Sequence, residues 1–101
     1  MEIKFTPNQV LTLKMSSGEE IIAKIVTQEG EFLIIEEPVA IGQGPKGIGL
    51  VPALFTAEPG KKVRLNTNNI NFVAETDEPV KLKYLEATTG IQVPEKKLIL
   101  G

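Results

Sequence analysis

The chain has 101 residues, 42% of them hydrophobic and 24% charged, a net charge of −2, and neither histidine nor cysteine. That length fits one domain and that apolar content supports a core, which excludes a disordered chain. The charge lacks the basic excess of proteins that grip duplex phosphates, and the missing cysteines and histidines remove disulfides, thiolate metal sites and the commonest general base.

No apolar run approaches the roughly 20 residues of a bilayer span. The opening MEIKFTPNQV lacks the basic start and apolar stretch of a secretory signal. A cytoplasmic protein without a membrane partner is therefore expected.

The first strand signal is VLTLKM at 10–15, which alternates apolar and polar residues and runs into the turn SSGEE. IIAKIV at 21–26 is rich in β-branched residues, and TQEGE at 27–31 reads as a second turn. FLIIEEPVAI at 32–41 is a third strand, with Pro38 marking a bend or an edge position. Beyond GQGPKGIG, the segment LVPALFTA reads as a fourth strand and EPGKK as a turn. VRL at 63–65, the asparagine-rich NTNN, and INFVAE at 70–75 read as strand, tight turn, strand. Short strands joined by small turns predict a small barrel or strongly bent antiparallel sheet over residues 1–75. TDEPVKLKYLEATTG at 76–90 has Thr76 or Asp77 as a helix cap, Pro79 early and Gly90 as a stop. IQVPEKKLIL follows as an extended tail, so residues 76–101 form a short helix and tail packed on the same domain.

Among chemical candidates, GQGPKG at 42–47 has the letters of a dinucleotide-binding loop. That loop needs a helix to follow, and Pro45 deletes an amide that would cradle phosphate, so a hairpin connection is expected. The paired acids Glu19/Glu20, Glu29/Glu31 and Glu36/Glu37 sit at turns and strand ends, where solvated carboxylates are ordinary. With no nucleophile–base constellation, no catalysis, cofactor, metal or small-molecule substrate is expected. Lys61, Lys62 and Arg64 form the densest basic cluster, and Lys96 and Lys97 a second pair. Asn66, Asn68 and Asn69 exceed what a turn requires; the surplus amides suit a polar ligand, although Asn68–Asn69 also suits a hairpin turn.

In sequence order these pieces resemble the Sm-like (LSm) family, over about positions 8 to 75. VLTLKMSSGEEIIAKIVTQEGEFLIIEEP lies on that family's first motif, with Gly18 at the turn glycine and Ala23 where a small residue permits a sharp bend. VRLNTNNINFV lies on its second motif, with Leu65 and Ile70 as the flanking apolar residues. Asn66-Thr67 replaces the usual Arg-Gly, Glu29 stands for the usual aspartate, and the base-contacting asparagine falls on Phe32 or Leu33. The divergent Sm-like proteins of marine viruses, cyanophages in particular, are the most similar group, which implies action inside an infected host cell.

The resemblance implies a five-stranded barrel that assembles into a homo-oligomeric ring, about five to seven subunits around, binding single-stranded RNA. In that family the fourth strand of one subunit pairs with the fifth of its neighbour, which here nominates Leu54, Phe55, Ile70 and Phe72 as interface residues. The turns facing the pore nominate Gln28, Glu29, Phe32, Arg64, Asn66, Thr67, Asn68 and Asn69 as RNA contacts. The departures and the acidic balance support an alternative, a structural or protein-interaction ring without nucleotide binding.

Overall fold

In the computed structural model, residues 2–45, 47–58 and 60–89 are described. The strands are β1 (Gln9–Met15), β2 (Glu20–Glu29), β3 (Phe32–Gly44), β4 (Gly47–Pro52), β5 (Val63–Asn66) and β6 (Ile70–Glu75). A single 3-10 turn, Thr67–Asn69, separates β5 from β6, and one helix, α1 (Glu78–Thr89), follows. The protein is mainly β, a small bent antiparallel sheet ordered β4-β3-β2-β1-β6, with β5 pairing β3 beside this path. The tail expected after the helix, with Lys96, Lys97 and the stop at Gly90, lies outside the described residues. Among the described residues no helix is long and apolar enough to cross a membrane.

Alternation explains the two layers of apolar packing. On one face of β1 and β2, Leu11, Leu13, Met15, Ile21, Ala23 and Ile25 meet Leu33 and Ile35 of β3 and Ile70 of β6. Ile3 and Phe5, from the segment before β1, close this inner core. The opposite face carries Val10, Ile22 and Val39, which α1 covers with Tyr84, Val80 and Leu85. Burying a large aliphatic side chain contributes about 1.5–3 kcal/mol, so a sheet buried on both faces gives so short a chain a workable core.

The bend has a specific cause. Between the pairs Ile22↔Val39 and Lys24↔Glu36, two residues of β3, Glu37 and Pro38, oppose the single residue Ala23 of β2. This is a β-bulge, and it increases local twist. Glu37 sits at φ 50, a left-handed conformation that non-glycine residues seldom adopt. Pro38 has no N–H to contribute to the ladder, so it suits the bulge and disrupts nothing there. The small side chain of fully buried Ala23 lets the strands curl over it.

β3 changes partners across this bulge. Phe32–Ile35 pair with β5, whereas Val39–Gly44 pair with β4. The ladder to β4 ends where the Ala53 amide donates to the Pro38 carbonyl at 3.1 Å. The fourth strand expected at LVPALFTA therefore stops at Pro52, because its partner turns away. Residues 53–58 and 60–62 lie outside the sheet, and β5 resumes pairing on the far side of the bulge.

Two other local expectations change, and the choice of helix cap is resolved. β2 runs through Glu29, so the expected turn at 27–31 shrinks to Gly30–Glu31, with Gly30 at φ 61 supplying the tight reversal. The asparagine cluster is not a hairpin turn, because β5 and β6 pair with β3 and β1 and not with each other. Thr76 does not cap α1; its hydroxyl meets that of Thr12 at 2.9 Å, and Asp77 holds the cap position, its carbonyl accepting from the Lys81 amide.

Candidate nucleic-acid interface

The register of three neighbouring strands assembles the candidate residues. Phe32 of β3 pairs with Glu29 of β2 on one side and Asn66 of β5 on the other. Two residues along, Arg64 pairs with Ile34. Leu33 and Leu65 point into the core, so alternation turns Phe32, Arg64 and Asn66 to the outer face. There the Arg64 guanidinium carbon lies 4.9 Å from the centre of the Phe32 ring, a cation–π contact. Phe32 is half-buried at the mouth of an otherwise buried FLII run, so it does not belong to the inner core.

The 3-10 turn fixes the asparagines. The backbone N–H of Asn68 donates to Asn66 Oδ1 at 2.9 Å. Because that amide can only donate, the oxygen of the Asn66 side chain is turned inward to the turn, and its NH2 group remains for other partners. Thr67 is fully buried: its hydroxyl and its backbone amide both donate to the Glu31 carbonyl, at 3.0 and 2.9 Å. It ties the turn to the β2–β3 connection and is removed from ligand contact. The Asn69 carbonyl accepts from the Ser16 amide at 2.7 Å and from its hydroxyl at 3.2 Å. Asn68 and Asn69 are both exposed.

Gln28 is also a structural residue. Its Oε1 accepts from the Ile3 amide at 2.9 Å and its Nε2 donates to the Gly30 carbonyl at 3.0 Å. It fastens the segment before β1 across the barrel end, beside a shallow cleft lined by Ile3, Phe5, Thr27 and Glu31. Of the residues nominated for RNA, the structure thus groups Glu29, Phe32, Arg64 and Asn66 on one outer row, with Asn68 and Asn69 at its end. Gln28 and Thr67 are spent on internal bonds.

Glu31 and Ser16 are the residues that sequence reasoning missed. Each holds the 3-10 turn across 36 or 53 positions, and no local signal marks such a contact. Nearby charge is mixed: Lys62 reaches the Glu36 carboxylate at 3.6 Å, and Glu29 is exposed. Among the described residues, no group of three or more potential ligating side chains is placed to hold a metal.

The nominated interface residues divide as well. Leu54, Phe55 and Phe72 are exposed, Phe55 by 80%, but Ile70 is buried in the inner core opposite Met15. Ile70 therefore has no side chain to offer a neighbouring subunit; a one-residue register shift between Lys14 and Met15 turns it inward and Phe72 outward. No protein-family model matches the chain, and no curated protein matches it.

Proposed function

We propose that the protein is a non-enzymatic, Sm-like ring former that binds single-stranded RNA, in an RNA-metabolism or RNA-chaperone role. The observation that carries the RNA reading is the outer row of an aromatic ring, a guanidinium and an amide on adjacent strands. Splayed bases stack on aromatic and guanidinium planes and are read along their edges by amides. Ring assembly is supported by the two ends of the sheet. Among the described residues β4 and β6 each pair on one side alone, and each displays apolar side chains: Ile48 and Val51 with neighbouring Leu54 and Phe55, and Phe72 with Val73. Two different unpaired edges favour a head-to-tail contact, which closes into a ring when its rotation fits. With a net charge of −2, affinity depends on repetition of the row around such a ring.

The test combines light scattering with binding of short U-rich, A-rich and G-containing RNAs over a salt series. A cyclic oligomer that binds with weak salt dependence supports the reading; an oligomer that binds none of these RNAs at low salt refutes it. The second reading, a ring that engages proteins instead, is favoured by the internal use of Thr67 and Gln28 and by the acidic balance. It becomes the better reading when assembly is found without RNA binding.

A further inference from the structure

The outer row has a chemical polarity of its own. Phe32 lies on the central strand of three, with Glu29 on one flank and Asn66 on the other. Two strand spacings separate the flanks by roughly 10 Å, a span that a base stacked over the middle strand bridges when each side chain reaches inward. One flank ends in a carboxylate, which only accepts. The other ends in an amide whose oxygen is already engaged by the Asn68 N–H, so it presents donors. Arg64, over the Phe32 ring, adds further donors and a flat cation for stacking.

We infer that this row selects guanine, with Glu29 as the specificity-determining residue. Guanine alone among the four bases places two adjacent donors, N1–H and the N2 amino group, on the edge that faces a carboxylate, and next to them an acceptor, O6, for an amide or guanidinium. Both carboxylate oxygens are then satisfied by parallel hydrogen bonds. Adenine presents the lone pair of N1 at that place. Uracil flanks its one N3–H with two carbonyl oxygens, and cytosine offers N3 and O2 lone pairs beside a single amino group. Each of these sets lone pairs against the carboxylate, so Glu29 rejects as well as selects. The same acid explains how a protein of negative net charge discriminates among RNAs without many phosphate contacts.

This inference rests on the RNA-binding reading, and its experiment separates the two. Fluorescence anisotropy is measured with labelled hexamers UGUGUG, UAUAUA and UUUUUU, and with UIUIUI, in which inosine lacks the N2 amino group. UGUGUG is expected to bind about tenfold more tightly than the A- and U-only hexamers, because a good bidentate contact discriminates by about that factor or more. UIUIUI is expected to lose most of that advantage. Glu29→Gln, at an exposed position, reduces UGUGUG affinity about tenfold. Asn66→Asp keeps an acceptor for the Asn68 amide, and so the turn, but replaces donors with an anion facing O6, and lowers UGUGUG affinity likewise. Equal binding of UGUGUG and UUUUUU, or a preference for G that survives Glu29→Gln, overturns the assignment while leaving RNA binding intact. Binding of none of the RNAs removes the RNA reading and the guanine assignment together.

Discussion

Replacing Tyr84 with phenylalanine tests the link between α1 and the bulge in β3. Tyr84 is fully buried, and its hydroxyl donates to the Glu37 carbonyl at 2.8 Å. That carbonyl belongs to one of the two residues that oppose Ala23 at the bulge, so the phenol fastens α1 to the irregular stretch of β3. Phenylalanine keeps the ring packing but removes the hydrogen bond from a buried site, a loss of about 1–3 kcal/mol. For a chain of this length about 2 kcal/mol lowers Tm by roughly 10 °C. Burial, and then the charges of Glu37 and Glu36, hold the Tyr84 phenol well above its ordinary value of 10.0. The unfolded chain therefore ionises first. This contribution to stability is intact below pH 10 and declines by about 1.4 kcal/mol per pH unit from there until the folded phenol itself ionises. Tyr84 is the one tyrosine and the chain has no tryptophan, so phenolate absorbance near 295 nm reports this single group. Urea unfolding of both proteins at pH 8, 10.5 and 11.5 measures the loss, and the variant subtracts the lysine background. A variant within about 0.3 kcal/mol of the parent at pH 8, or phenolate forming near pH 10 while the fold persists, refutes this role of Tyr84.

Two further outcomes follow from named contacts. Thr67→Val removes the hydroxyl bond to the Glu31 carbonyl but leaves the backbone bond to the same oxygen, so urea unfolding is expected to show a loss of only about 0.5–1.5 kcal/mol. Val73→Lys places a charge on the open edge of β6, where the parent side chain is 38% exposed; light scattering is expected to show smaller species while circular dichroism is unchanged.

The strands were legible where the sequence alternates between two environments. VLTLKM and IIAKIV carry their burial pattern in the letters, and Gly18 and Gly30 mark reversals with positive φ, at 97 and 61. The break at Pro52 was not legible, because LVPALFTA stays apolar past the point where its partner leaves. What ends the strand is the bulge at Glu37–Pro38, on another strand. The asparagines show the same limit. NTNN favours a turn, but a hairpin also requires its flanking strands to pair, and that is decided by β3 and β1. Phe32 stands at the start of an apolar run, a position that by itself suggests core; the register with Asn66 and the reach of Arg64 place it on the outer row. The role of Tyr84 was not legible either, since nothing near it in sequence announces a carbonyl 47 positions away.

One local irregularity connects the stability of this fold to its proposed assembly. A continuous β3 would pair with a single long fourth strand, covering its own edge and carrying Leu54 and Phe55 within the ladder. The extra residue opposite Ala23 prevents this. The sheet bends, β4 ends, and the intervening segment carries Leu54 and Phe55 outward, while β5 is brought against Phe32 with Arg64 over the ring. The open edge beside β4 and the closed outer row are thus two consequences of one bulge. Tyr84 braces this bulge from α1 through its bond to the Glu37 carbonyl. The helix therefore bears on the row by stabilising the bend of the strand that presents Phe32.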